Sequence, residues 1–277
     1  MWNLIGEPEP NSVINCNETR HSKNQIQVKG HTIPKFLKSD FVIFHQNIRA
    51  LNNCKFDELS FPLTTNPPHT ICFTKHHLDT NEIDKIVLPN YRFGSKFCRN
   101  SFKNGDVCIF THESIQSTNM NLNGLCKKKK YLEICAVKLH LPSHEICVIT
   151  TYRSPSGNYQ YFIDELETIL NMIYSNSVEI IICGDININC LINSTSKQLL
   201  DSLLDSYGLH STFKFPTRIQ NNSYTTIDNI FIDTFKFSNF TVKPIINGLS
   251  DHDTQSLILH KILVPNTNTH FYYKQKI

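Results

Sequence analysis

The chain has 277 residues, 40% of them hydrophobic, 18% charged and 10% aromatic, with a formal net charge of +3. That composition excludes a disordered chain, and no apolar run approaches the roughly 18 residues that a transmembrane helix needs. The modest positive balance permits a nucleic-acid partner without demanding one.

Residues 1–39 are polar and without sustained periodicity, a leader. Their first twenty show no basic segment followed by an apolar one, so no secretory signal is expected and the chain reads as intracellular, nuclear or cytoplasmic. From Phe41 onward, short runs rich in Ile and Val predict strands at 41–47 (FVIFHQN), 70–74 (TICFT), 107–111 (VCIFT), 132–139 (LEICAVKL), 145–152 (EICVITTY), 178–185 (VEIIICGD), 227–233 (IDNIFID) and 254–260 (TQSLILH). Helical patterns cover 55–63, 159–175 and 196–208. In the second, Tyr161, Phe162, Leu166, Ile169, Leu170 and Ile173 recur at helical spacing; the third ends at Gly208, a candidate C-cap. Runs this continuous bury both strand faces, so the expected class is α/β, two packed sheets under outer helices. One domain at 40–262 and a short tail at 263–277 follow. The lysine run at 127–130 reads as a solvated loop. Several of the ten cysteines fall inside apolar runs without metal-ligand spacing, which predicts core thiols in a reducing compartment rather than zinc or disulfides.

Polar groups gather where these runs end. His45, Gln46, Asn47 and Arg49 close the first, Tyr152 the fifth, and Gly184, Asp185 and Asn187 the sixth. Asp228 opens IDNIF, while Gly248, Ser250, Asp251 and His252 precede the last. Alone, each has an ordinary reading: a turn Asp, a helix-capping Asn, a surface His. Together they are the residue types that metal-assisted phosphodiester hydrolysis uses. A divalent ion takes carboxylate and amide oxygens, a second carboxylate orients water, and Asn, Tyr and His donors stabilise the charged transition state.

The order QN (46–47), YRSP (152–155), GDIN (184–187), TTIDNIF (225–231) and LSDH (249–252) resembles the endonuclease/exonuclease/phosphatase superfamily, the fold of deoxyribonuclease I. HQNIRALNNCKFDEL and LPNYRFGSKFCR look most like the endonuclease domain of non-LTR retrotransposons. The resemblance covers about 40–262 and implies a four-layered α/β sandwich of two mainly antiparallel or mixed sheets, with Mg²⁺ (or Mn²⁺) as cofactor and DNA, duplex by family habit, as partner. It implies that Asn47 and Asp251 lie at the metal, that Asp185 orients the water, and that Asn187, Tyr152 and His252 meet the phosphate, His252 being oriented by Asp228. Arg153, Thr225 and Thr226 are further phosphate or DNA candidates.

One position departs from that pattern. Where the family carries its metal-binding Glu, in a context like ICLTEHHL, this chain reads ICFTKHHL and places Lys75. Three readings stay open: an inactive nuclease, weak metal-independent hydrolysis with the Lys75 ammonium in the metal's position, or compensation by a nearby carboxylate such as Asp79. The expected function is therefore a DNA-nicking endonuclease or phosphodiesterase-type domain impaired at Lys75. The alternatives are a catalytically silent DNA- or protein-binding module and a phosphatase of the same fold. A second irregularity is KNGDV at 103–107, where Asp106 replaces an expected Gly; Asp tolerates positive φ there better than most residues. The residues after LSDH look like the start of a linker, which suits a truncated element, a domain retained by a host, or a fragment. Neither the oligomeric state nor the DNA target follows from the sequence.

Overall fold

The apolar runs alternate inward and outward, and both directions are buried. In the strand Glu179–Asp185, Ile181 and Cys183 face one hydrophobic cluster while Ile180 and Ile182 face another. A computed structural model describes residues 38–65, 67–99, 105–122 and 131–263. Most of the leader, nearly all of the tail and the 127–130 lysines lie outside those residues.

Within the described residues the strands are β1 (Phe41–Asn47), β2 (Thr70–Thr74), β3 (Tyr91–Phe97), β4 (Val107–His112), β5 (Gln116–Met120), β6 (Leu132–His140), β7 (Glu145–Arg153), β8 (Glu179–Asp185), β9 (Leu209–Ser211), β10 (Arg218–Gln220), β11 (Ser223–Thr225), β12 (Asp228–Asp233), β13 (Phe240–Ile245) and β14 (Thr254–Leu259). The helices are α1 (Asn53–Thr65), α2 (Thr80–Ile83), α3 (Tyr159–Ile173) and α4 (Thr195–Asp205). One six-stranded sheet runs β13-β14-β1-β2-β4-β3, the other β5-β6-β7-β8-β12-β9, and β10-β11 form a hairpin. Both sheets are mixed: β1–β2 and β7–β8 are parallel and their other pairs antiparallel.

Three clusters define four layers. Ile43, Cys72 and Ile109 of the first sheet meet Val137, Val148 and Ile181 of the second in the central core. Leu59, Leu63 and Ile83 of α1 and α2 cover the outer face of the first sheet, against Ile71, Phe73 and Phe110. Phe162, Leu166 and Ile169 of α3, with Leu200 and Leu204 of α4, cover the second. Caps delimit the outer helices: Asn158 accepts the Tyr161 amide at 2.8 Å and Ser194 that of Lys197 at 3.2 Å. Gly208 takes φ +70° three residues beyond α4.

Cys72, Cys108, Cys135, Cys147 and Cys183 are buried free thiols, as expected, and burial pushes Cys147 up to about 12. Cys54 corrects that expectation: it is disulfide-bonded. It sits half-buried at the start of α1, outside the sheets whose packing isolates the other thiols.

Candidate active site

The strand ends that attracted attention in the sequence meet at one end of the two sheets. Asn47 closes β1, Lys75 follows β2, Tyr152 and Arg153 close β7, Asp185 closes β8, Asp228 opens β12, and Asp251 and His252 precede β14. Asp185 has Tyr152 beside it in the parallel pair and Asp228 opposite it in the antiparallel one. Gly184 permits this: a Cβ there would stand 1.9 Å from the Thr151 carbonyl oxygen.

Asn47, Asp185, Asp228 and His252 are all buried. Asn47 Nδ2 donates to Asp185 Oδ2 at 2.8 Å and lies 3.4 Å from His252 Nε2. His252 Nδ1 is 2.6 Å from Asp228 Oδ2, and its Nε2 is 4.0 Å from Asp251 Oδ1. Burial opposes the imidazolium, but the Asp228 charge and hydrogen bond outweigh it and raise the His252 pKa. Burial, and then the Asp228 charge, push Asp185 up against the pull of Lys75 and His252. Asp251 behaves oppositely: burial pushes it up, yet hydrogen bonds from Arg218 and Arg49 hold it at about 2. Arg49 Nη1 meets Asp251 Oδ1 at 2.9 Å, and Arg218 meets Oδ2 through Nε and Nη2, both at 2.9 Å.

The remaining candidates make other contacts as well. Arg153 donates to the carbonyls of Ile186, Ser154, Gly157 and Asn187, and so clasps two loops. The Thr226 hydroxyl donates to the Phe215 carbonyl. Thr225 lies in the hairpin opposite Arg218. The Thr217 hydroxyl does reach the cluster, 3.3 Å from Asp228 Oδ2. Asn187 turns Nδ2 to the Arg153 carbonyl at 2.7 Å, while its backbone amide donates to Asp185 Oδ1 at 3.2 Å. Asp79, the candidate compensating carboxylate, caps α2 by accepting the amides of Asn81 and Glu82 through Oδ1.

Sequence reasoning gave no role to Arg49, Thr217, Arg218 or Glu133. Glu133 lies opposite Tyr152 in the register. It pairs with Arg99 and accepts the Asp106 amide, and burial pushes it up to about 7. Only Arg49 had a signal, its place at a strand end; the others follow from cross-sheet placement.

Lys75 decides what this centre can hold. Its Nζ stands 2.9 Å from Asp185 Oδ2 and 5.1 Å from the Tyr152 ring centroid. Lys75 itself is at φ +55°, an uncommon conformation for lysine. Three backbone bonds hold the turn: Lys75 N to Asp106 O and Ala50 N to Lys75 O, both 2.8 Å, and Leu51 N to His76 O at 3.0 Å. Asp106, where a glycine was expected, takes φ +81°. The nearby His77 is lowered to about 4 by burial and then by the charges of Lys75, Lys55, Arg49 and Arg99.

Asp185, Asp228 and His252 offer ligand atoms within 4.8 Å of one another, an acidic group of the kind that holds metal ions, and Asn47 Oδ1 is buried without a hydrogen-bond partner. The surrounding charges oppose a divalent cation there. Asp185 Oδ2 already accepts from both Lys75 and Asn47, and both Asp251 oxygens accept from arginines. The acceptors of this cluster left without a partner among the described residues are Asn47 Oδ1 and Asp228 Oδ1, and the cations around them disfavour a divalent ion.

The comparisons agree with this architecture. A family model described as "Endonuclease-reverse transcriptase" matches residues 146–255. The chain has the deoxyribonuclease I-like fold. The endonuclease domain of TRAS1, a telomere-specific non-LTR retrotransposon, superposes with a TM-score of 0.64 at 13% identity, over 80% of this chain and 98% of that one. The AP endonuclease LMAP from Leishmania major gives 0.64 at 13% identity, over 80% and 88%. TDP2 of D. rerio, complexed with single strand DNA product, gives 0.55 at 13%, over 79% and 98%. No curated protein sequence matches the chain. Among the described residues, no helix is long and apolar enough to cross a membrane.

Proposed function

We propose that residues 40–262 form a DNA-directed endonuclease-type domain, of the kind found in non-LTR retrotransposons, whose metal-assisted nicking of duplex DNA is impaired by Lys75. The observation that carries this reading is the 2.9 Å ion pair between Lys75 and Asp185. An unpaired Asp185 carboxylate beside Asn47 would orient water, with His252, held by Asp228, on a phosphate oxygen and Tyr152 and Asn187 alongside. Here Asp185 is buried and both its oxygens already accept hydrogen bonds, Oδ2 from Lys75 and Asn47 and Oδ1 from the Asn187 amide. A carboxylate-to-ammonium change shifts the pocket by two charge units. Each unit is worth on the order of 4 kcal/mol at such distances, enough to disable an ion-dependent step. The TRAS1 and TDP2 likenesses support DNA as the substrate class.

The test is nicking of supercoiled plasmid in Mg²⁺ by the wild type beside Lys75→Glu. The substitution is expected to raise the rate by about a hundredfold or more, and Asp185→Ala or His252→Ala in that background to abolish it. Equal rates in wild type and Lys75→Glu would sink the assignment to Lys75. Activity in neither would favour the second reading, a silent DNA-binding module, which the double capture of Asp251 by Arg49 and Arg218 also supports.

A further inference from the structure

We propose that this cleft binds a phosphate group of a phosphodiester directly, without a divalent cation, through Lys75, Arg49 and Arg218. The inference rests on the DNA-directed reading for its ligand, and it turns the misfit to a metal into a binding property. Three carboxylates, Asp185, Asp228 and Asp251, stand at the strand ends. Against them stand three cationic side chains, Lys75, Arg49 and Arg218, with His252 on Asp228 as a fourth basic group. The cluster is therefore balanced from within the chain. Adding a divalent ion would leave an excess of two positive charges or more around buried groups. Adding a phosphodiester brings one negative charge to groups that are already cationic at the mouth.

The cations are also placed to meet an anion. The acids lie deepest: the side chains of Asp185 and Asp228 are fully buried, and Asp251 is 17% exposed. The bases lie outside them, with side-chain exposures of 18% for Lys75, 31% for Arg218 and 59% for Arg49. Asp185 is the only acceptor that the Lys75 ammonium meets among the described residues, leaving N–H groups for a ligand. Arg49 gives Asp251 one nitrogen and keeps the rest of a planar fork toward solvent.

These positions are held rather than sampled. Arg49 and Ala50 take successive positive φ values of +45° and +70° directly after β1. Lys55 Nζ fastens that turn through the carbonyls of Ile48 and Arg49, at 2.6 and 2.7 Å. Lys75 hangs from the backbone bonds to Asp106 and Ala50. Arg218 is fixed by the bridge between Arg218 and His252. Two left-handed turns and a hairpin thus bring three cations to one mouth.

The experiment is a fluorescence-anisotropy titration of a labelled duplex oligonucleotide, in EDTA and in Mg²⁺, with inorganic phosphate as a second probe followed by ³¹P NMR. Affinity in EDTA is expected to lie within about twofold of that in Mg²⁺. Lys75→Gln and Arg49→Gln should each weaken binding by about tenfold and lower the salt slope by about one. Arg49→Gln guards against misfolding, since its side chain lies mostly in solvent. Binding that requires Mg²⁺, or DNA binding in EDTA that neither substitution weakens, would overturn the anion site while leaving the DNA-directed reading standing. Inorganic phosphate that binds in EDTA and is lost with Lys75→Gln, without DNA binding, would uphold the anion site and remove DNA as its ligand.

Discussion

Asp228 Oδ2 carries two partners, His252 Nδ1 at 2.6 Å and the Thr217 hydroxyl at 3.3 Å, and their difference in length predicts a difference in consequence. The short contact joins a buried carboxylate to a buried imidazole. Asp228→Ala removes the charge that raises the His252 pKa, so the imidazole reverts toward its neutral form and its buried Nδ1 loses its partner in a place that water does not reach. Breaking a buried pair from one side costs about 3–5 kcal/mol. The Thr217 bond is long and neutral on the donor side, so Thr217→Val should cost about 1 kcal/mol. Urea unfolding of the two variants checks the ordering; a Thr217→Val loss equal to that of Asp228→Ala would mean that the hydroxyl, not the imidazole, holds the carboxylate. Lys75 belongs to the same scale. It pairs with Asp185 as Arg49 and Arg218 pair with Asp251 and His252 with Asp228, so fold likeness to nucleases does not by itself carry their activity across.

At the scale of strands, Gly184 is the tightest point beside the site. Its missing side chain lets β8 lie against the Thr151 carbonyl of β7, one residue before Asp185. Gly184→Ala is expected to destabilise by about 1–3 kcal/mol through overpacking and to displace Asp185 from Lys75. Thermal unfolding with the ¹⁵N shift of the Lys75 amine would show both; an unchanged melting point would mean that β7 and β8 separate freely. The same strands explain what was legible in the sequence. The eight runs predicted as strands became β1, β2, β4, β6, β7, β8, β12 and β14, which are all the interior strands of both sheets. The strands missed were the four sheet edges, β3, β5, β9 and β13, and the β10–β11 hairpin. A strand buried on both faces writes a continuous apolar run, whereas β5 (QSTNM) and β13 (FTVKPI) are largely exposed or half-buried and write a polar one. That asymmetry carried into the site. Asn47, Asp185, Asp228 and His252 flank interior strands, where the apolar runs end, and stood as candidates in the sequence. Thr217 and Arg218 belong to the small hairpin and its approach and were passed over, leaving Thr225 and Thr226 in their place.

Across the whole molecule, the two sheets are joined beside the site by a polar contact as well as by the central core. Glu133, on β6 of the second sheet, accepts the Asp106 amide and pairs with Arg99, both from the loop joining β3 and β4 of the first. Asp106 in turn accepts the Lys75 amide through its carbonyl, so the lysine is positioned from the opposite sheet. Glu133 is only 1% exposed, and burial pushes it up to about 7, against the pull of Arg99 and the Asp106 amide and with the Asp106 charge adding to the rise. A carboxyl near 4.5 in the unfolded chain and near 7 in the folded one binds more protons when folded. Its contribution is therefore fully present below about pH 4.5 and is lost as pH rises through 7, by on the order of 2 kcal/mol between pH 5 and 7.5. Asp106 is raised too, by burial, and titrates in the same direction. The measurement that isolates Glu133 is thus the difference in unfolding free energy between wild type and Glu133→Gln at the two pH values. That difference should shift toward the variant as pH rises, because the variant has no proton to lose. A difference that stays constant would show that Arg99 keeps the carboxylate ionised throughout, and that the polar join between the sheets is a permanent ion pair.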